Sequence, residues 1–260
     1  MKVRTKNDIY ELMDAHLPSA VLDSALERGL FWRFTNGPKS LSMIAQELSI
    51  HPQRCLYWLR MLVSMGLLEQ DGEHYDLSPI AQDYILHMHS RETWQMLAID
   101  AWDNFEESLC LGQRLGEIFP SPDHPGTPLS HLSPYVQKMS EDPERAWKFT
   151  QMLFELHTPL AQNIAAAINL EGVSSVLDVG GGSGVVSLTL LRQNPDLFAV
   201  VVDIPNVCNA GREIASQMPE QDRIAYYPAD FVQDELPRGF DLVLLCDVGP
   251  FDPLFSTKLA

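Results

Sequence analysis

The chain has 260 residues, 45% of them hydrophobic, and a formal net charge of −17, enough length and apolar content to bury a large core in one large or two smaller domains. No apolar run reaches the length of a membrane span, and the N-terminus, MKVRTKNDIY, lacks the hydrophobic core of a secretory signal, so a cytoplasmic protein without a membrane partner is expected. The negative charge repels phosphate backbones and argues against nucleic acid as a partner. Cys55, Cys110, Cys208 and Cys246 are scattered without a C-x-x-C pair, which argues against a disulfide framework or a bound metal.

Residues 1–90 read as a winged helix. Leu41 to Leu48 and Pro52 to Val63 are two short amphipathic helices, the second with Cys55, Leu56, Leu59, Leu62 and Val63 on one face and Gly66 closing it. Leu67 to Glu69 and His74 to Leu77 flank Asp71-Gly72, a hairpin signal, and Ser78-Pro79 starts another helix. A DNA-reading version of this module needs basic side chains on the second helix and a basic wing. The helix offers Gln53, Arg54 and Arg60, but the wing carries Glu69, Asp71, Glu73 and Asp76. An acidic wing is driven off phosphates.

Residues 91–170 form a mostly helical connector, interrupted by a Pro- and Gly-rich loop from Phe119 to Pro134. Trp94, Trp102, Phe105, Trp147, Phe149, Met152 and Phe154 give it an aromatic bias. Such residues at helical spacing usually fill cores, and the alternative is that some of them wall a pocket. His157 lies on the same segment.

Residues 171–260 carry the most informative stretch, VLDVGGGSG from Val176 to Gly184. A run of β-formers collapses into glycines, and a helical pattern follows through Leu188, Leu190 and Leu191. Strand, tight turn and helix in that order make a site where a ligand approaches the backbone near a helix N-terminus. The dinucleotide pattern G-x-G-x-x-G fails because its third position is Val185. Asp178, Gly180, Gly182 and Gly184 instead give D-x-G-x-G-x-G, which favours S-adenosylmethionine over NAD. A second strand, Phe198 to Val202, ends in Asp203, about 20 residues beyond the last glycine, where a carboxylate accepts from both ribose hydroxyls. A third strand, Ile224 to Tyr227, leads to Asp230 and Phe231, an acid for an adenine amino group beside an aromatic for its face.

From about Ser19 onward the chain resembles the plant-type and bacterial small-molecule O-methyltransferases, the family of the caffeic acid and acetylserotonin enzymes. The likeness rests on LDVGGGSG (Leu177 to Gly184), VVDIPNV (Val201 to Val207), ADF (Ala229 to Phe231) and FDLVLLCDV (Phe240 to Val248). It implies an α/β protein: a winged-helix dimerisation domain, then a Rossmann-like S-adenosylmethionine domain, acting in secondary metabolism as a homodimer on a small, aromatic molecule. By the same likeness Gly180, Gly182, Asp203, Asp230 and Phe231 are cofactor contacts, and Phe149, Met152 and Phe154 fall near the family's pocket residues.

The resemblance also exposes a departure. Members take the acceptor's proton with a histidine just beyond the fourth strand; here Pro250 stands at that position, Phe251 at the following aspartate, and Cys246 where some members have a cofactor-binding lysine. Proline cannot act as a base. One reading is a methyltransferase whose acceptor is an amine, a carbon nucleophile, an ionised hydroxyl, or a hydroxyl served by His157 or Asp247, with Asp247 and Pro250 near the substrate. The other is an inactive homologue that binds a ligand or partner. The resemblance further implies a sheet of which this chain supplies strands 1–4 and lacks the later ones. Asp241 to Cys246 would then be an exposed edge, so roughly 70–100 further residues, or another segment or subunit, are expected to cover it.

Overall fold

The computed structural model describes residues 4–109, 134–231 and 234–246. The chain divides into two compact units, Met1–Gly112 and Gln113–Ala260. The stretch read as a connector is shared between them, its first helix lying in the first unit and its last in the second. The loop expected from Phe119 to Pro134, Cys110, Asp247, Pro250 and Phe251 lie outside the described residues, apart from Pro134 itself.

The first unit contains α1 (Lys6–Asp14), α2 (His16–Glu27), a short strand β1 (Lys39–Ser40), α3 (Leu41–Glu47), α4 (Pro52–Ser64), β2 (Leu68–Asp71), β3 (His74–Leu77) and α5 (Arg91–Leu109). The helix-turn-helix and the wing are both present. Along α4, Cys55, Leu59 and Leu62 are fully buried, while Leu56 and Val63 are half-buried at the flanks of the same stripe. Cys55, Leu59, Leu62 and Val63 pack with Val21, Ala25 and Leu26 of α2, Leu30, Phe31, Phe34, Ile44, Leu68 and Tyr75 into one core. Gly66 takes a left-handed φ of 74°, and the amide of Leu67 reaches back to the carbonyl of Leu62 at 3.0 Å, the helix ending that glycine permits.

The wing strands pair antiparallel around Asp71 and Gly72, Leu68 facing Leu77 and Asp71 facing His74. The first strand starts one residue later and runs two further than its sequence suggested. A third strand, β1, joins the sheet through Lys39 opposite Tyr75 and Ser40 opposite His74. Two residues are too few to show a period of two, so this strand had no sequence signal. Glu69, Asp71 and Glu73 of the wing are exposed.

The second unit contains α6 (Pro134–Glu141), α7 (Pro143–Ala167), β4 (Ser175–Val179), α8 (Val185–Gln193), β5 (Phe198–Asp203), α9 (Pro205–Ala215), β6 (Ile224–Pro228) and β7 (Leu242–Leu244). The four strands form one parallel sheet in the order β6-β5-β4-β7. Parallel strands covered on both faces read as continuous apolar runs rather than alternations. Val176, Ala199 and Leu244 pack on Ala161 and Ala165 of α7 and on Val185, Leu190 and Leu191 of α8. On the same face Val201 and Tyr226 pack on Cys208 and Ala215 of α9. The opposite face, Leu177, Val179 and Val202, is covered by Ala229 with Phe231, Leu236 and Phe240.

The last strand is shorter than the run from Asp241 to Cys246. Asp241 ends it at the front by turning its carboxylate away: Oδ2 accepts from the amides of Ser174 and Ser175 at 3.0 Å each and from their hydroxyls at 2.8 and 2.9 Å. Those four donors hold the Asp241 carboxyl down at about 2. Leu245 and Cys246 follow without strand pairing. Among the described strands β7 pairs with β4 alone, with Val243 40% exposed, so it is a sheet edge among the described residues.

Candidate functional site

The carboxyl ends of β4, β5 and β6 converge where ligands bind in open parallel sheets. Between β4 and α8 the chain must reverse within five residues, and it does so with Gly180, Gly182 and Gly184 all at left-handed φ, 68°, 56° and 74°. Gly181 serves differently. A Cβ there would lie 2.5 Å from Cγ of Asp178, so the turn rests directly on that carboxylate.

Several amides of the turn are spent on holding its shape. Gly180 donates to the carbonyl of Val202 at 2.8 Å and Gly184 to that of Gly181 at 2.8 Å, while Gly182 donates to Oδ2 of Asp203 at 3.0 Å. Beyond Gly184 no side chain caps α8, which leaves its first-turn N–H groups directed at the end of the sheet.

Asp203 is 6% exposed. Its Oδ1 accepts from the amide of Ile204 at 2.8 Å, and burial, only partly offset by the amides of Ile204 and Gly182, lifts its carboxyl to about 6. The thiol of Cys208 donates to the Asp203 carbonyl at 3.2 Å; burial pushes that thiol up to about 12, so it is a structural neighbour rather than a nucleophile. Asp178, 1% exposed, has one oxygen held by Ser187 Oγ at 2.7 Å. Burial raises it to about 6, with the hydrogen bond from Ser187 opposing and the charge of Asp203 adding. Asp178 thus lies beneath the turn, supporting it, rather than on its open side.

Asp230 and Phe231 follow β6. The Asp230 amide donates to Oδ2 of Asp234 at 2.8 Å, and the Asp234 amide returns to the Asp230 carbonyl at 2.7 Å, closing a turn that carries both residues. Phe231 is half-buried against Leu177, Val179 and Val202. Cys246 is half-buried against the α7 and α8 side of the sheet.

On α7, Phe149 packs edge-on against Tyr135 with ring centroids 5.5 Å apart, in a cluster with Met139, Ala146, Ile204 and Val207. That cluster adjoins Asp203, whose charge adds to burial in raising the Tyr135 hydroxyl. Met152 is 2% exposed. Phe154 is half-buried between the α8 and α9 packing layers, and His157 is half-buried one turn further on.

Ser187, Gly181, Gly211, Tyr226 and Tyr135 belong to this neighbourhood and went unnoticed in the sequence. Tyr226 donates its hydroxyl to the carbonyl of Ser183 at 2.7 Å, 43 positions away. A Cβ on Gly211 would strike the Tyr226 ring and come within 2.7 Å of the Gly182 carbonyl. Only the run of three consecutive glycines could have flagged Gly181; contacts between distant elements leave no periodic mark.

Comparison with known proteins agrees with this fold. Residues 130–252 match the O-methyltransferase domain and residues 10–86 the O-methyltransferase dimerisation domain. The chain is 32% identical over 230 residues to 3-hydroxy-5-methyl-1-naphthoate 3-O-methyltransferase of Streptomyces sahachiroi, covering 86% of this chain and 63% of that protein. It is 26% identical over 254 residues to the N,N-dimethyltransferase OxyT of Streptomyces rimosus, covering 97% and 72%. Among solved structures, an O-methyltransferase from neocarzinostatin biosynthesis (NcsB1), in complex with S-adenosylmethionine and 2-hydroxy-5-methyl naphthoic acid, superposes with a TM-score of 0.71 at 24% identity over 87% of this chain and 68% of that one.

Proposed function

Because the chain belongs to the O-methyltransferase family with an N-terminal dimerisation domain, we propose that it is part of an S-adenosylmethionine-dependent methyltransferase acting on a small aromatic molecule. The observation that carries the reading is the Gly182–Asp203 bond, which sets a buried carboxylate beside a left-handed glycine turn at the ends of β4 and β5. Two further features fit the cofactor. Asp178 Oδ1 is buried with no hydrogen-bond partner, and the Asp178–Asp203 pair suits a positively charged ligand.

Asp203 is assigned to accept hydrogen bonds from the ribose hydroxyls, Asp230 to accept from the adenine amino group, and Phe231 to cover its face. Gly180, Gly182 and Gly184 keep the backbone close to the ligand; Cys246 stands at a cofactor-side position. When bound, the cofactor supplies a methyl group already activated by its sulfonium sulfur. The protein's remaining work is to position the acceptor and exclude water, which we assign to Phe149, Met152 and Phe154, with His157, Asp247 and Pro250 nearer the acceptor's reacting atom.

Pro250 decides the acceptor class. Its side chain cannot take a proton, so we assign the acceptor to an amine, a carbon nucleophile or an acidic hydroxyl, and hydroxylated naphthoates like that of the first relative enter as a test case. The same proline favours a second reading, a homologue that binds ligand without turnover. Mass-spectrometric screening of phenols, hydroxynaphthoates, amines and keto acids with S-adenosylmethionine separates the two. Methylated product supports the enzyme; calorimetric binding of the cofactor with no product across the panel supports the binding protein, and absence of cofactor binding overturns the enzyme and the cofactor site.

A further inference from the structure

The glycine turn hides a charge that no contact in its surroundings balances. Asp178 lies under Gly181, whose missing Cβ makes room for the carboxylate. Ser187, reaching back from α8, occupies Oδ2 at 2.7 Å, while Oδ1 is buried without a partner. A buried carboxylate oxygen with no donor is costly, and the neighbouring charge of Asp203 adds to that cost.

The titratable groups that feel the charges of the pair come from β6, α9 and α6. Tyr226 on β6 gives its hydroxyl to Ser183, Cys208 on α9 gives its thiol to the Asp203 carbonyl, and Tyr135 on α6 feels Asp203. Arg212 on α9 is a cation whose charge acts on Cys208 and Tyr226 of this group. It is turned to Asn209 at 2.9 Å and to the Tyr226 carbonyl at 3.4 Å, with its guanidinium 6.0 Å from the Tyr226 ring. None of these is a counter-ion for Asp178.

Resting on the cofactor reading above, we propose that Ser187 and Asp178 are specificity-determining residues: Ser187 fixes the carboxylate under the turn with one oxygen free, and the resulting negative charge favours S-adenosylmethionine over S-adenosylhomocysteine. The two ligands share adenosine and amino-acid ends and differ by the methyl group and the sulfonium charge it creates. A fixed anion beneath the turn therefore acts on their difference, and it lowers retention of the spent, neutral-sulfur form. Asp178 does this through space, as a group that positions charge rather than one that takes part in the transfer.

Burial sets where this selection operates. Burial raises the carboxyls of Asp178 and Asp203 to about 6, so the pair gains negative charge as pH rises through that range. Cation binding favours the ionised form, so the preference for S-adenosylmethionine rises as pH increases through about 6. The hydroxyl of Ser187 holds the Asp178 value down, and its removal moves the transition to higher pH.

The test is calorimetric titration of the full chain with S-adenosylmethionine and, separately, S-adenosylhomocysteine from pH 5 to 8. The affinity ratio should rise about three- to tenfold across that range, the scale of one partly screened charge interaction. Asp178→Asn should lower the ratio at pH 8 by a similar factor. Ser187→Ala should shift the midpoint upward, and Ser187→Thr should restore it, a movement that a purely structural role for the hydroxyl would not produce. A wild-type ratio that does not change with pH, or an unchanged ratio in Asp178→Asn, overturns the inference while leaving the cofactor assignment intact. Failure of both nucleosides to bind at any pH overturns the cofactor assignment and this inference with it. Should Asp178→Asn not fold, the wild-type pH series and the Ser187 variants decide alone.

Discussion

The amide of Gly182 donates to Oδ2 of Asp203 at 3.0 Å, 21 positions along the chain, and ties the glycine turn to the end of the neighbouring strand. The carboxylate therefore shapes the turn at which the ribose contact is proposed. Asp203→Ala should weaken S-adenosylmethionine binding by about 1.5–3 kcal/mol, the scale of lost hydrogen bonds to a charged group. Asp203→Asn keeps the volume and an acceptor for Gly182, and should retain more of the affinity than Ala. Calorimetry on the two variants checks this; unchanged affinity in Asp203→Ala removes the ribose assignment.

Helix α9 approaches the turn closely because Gly211 has no side chain. Gly211→Ala would press a methyl group into the Tyr226 ring and against the carbonyl of Gly182, and should destabilise the fold by about 1–3 kcal/mol, as overpacking does. It should also reduce cofactor affinity, since Gly182 is displaced. Gly172→Ala is the control: its φ is also positive, 79°, but nothing lies within 4 Å of the added Cβ, so backbone strain of about 1–2 kcal/mol is the whole cost and cofactor affinity should hold. Denaturant melts and titrations on both variants separate packing from strain. Equal loss of cofactor affinity in the two would contradict the assignment of Gly211 to the turn.

How far these arrangements could be read from the chain depends on the range of the interaction. Val176 to Val179 and Phe198 to Asp203 announce strands because buried parallel strands read as apolar runs, Ile224 to Tyr227 announces an edge strand through its β-branched and aromatic residues although Tyr227 is 45% exposed, and the glycines mark the turn because left-handed backbone favours glycine. The wing was legible from Asp71-Gly72, and its acidic side chains from the letters themselves. What stayed hidden is contact between distant segments: Ser187 under Asp178, Tyr226 on Ser183, Gly211 against Gly182. Asp241 was read as the first residue of a strand, whereas its four hydrogen bonds to Ser174 and Ser175 turn it into the clamp beside one. Asp247 and Pro250, to which the proposed choice of acceptor is tied, lie outside the described residues.

That clamp has a pH signature. The Asp241 carboxyl is held down at about 2, first by the Ser174 amide and then by the Ser174 and Ser175 hydroxyls, so its folded value lies below its unfolded one. Its contribution is then fully present above the ordinary carboxylate range and is lost as pH falls from about 4 toward 2. Asp241→Ala should lower the melting temperature at pH 7 and narrow the difference from wild type at pH 2 to 3. Thermal melts across that range check the sign. A gap that widened on acidification would show that the carboxylate is not the group holding β7 to β4.

The exposed face of α1 leads to the last prediction. The helix is secured at its start by Thr5, whose hydroxyl accepts from the Asp8 amide at 3.3 Å while the Asp8 carboxylate accepts from the Thr5 amide at 2.8 Å. It buries no residue. Tyr10 is 62% exposed and Met13 70%, with Ile9 and Leu12 at 50% and 52%. A helix of nine residues is marginal on its own, and four large apolar side chains in water mark a surface that another protein covers. Because the dimerisation-domain match begins at residue 10, inside α1, we assign that cover to a second copy of this chain. Light scattering at low micromolar concentration should report a dimer, and Tyr10→Glu combined with Met13→Glu should convert it to monomer without lowering the melting temperature of the α2 to α5 core. Salt-sensitive binding of duplex DNA should be absent in both forms, given the exposed Glu69, Asp71 and Glu73. A dimer that survives the double substitution would move the interface elsewhere on the molecule, and a wild-type monomer would remove it.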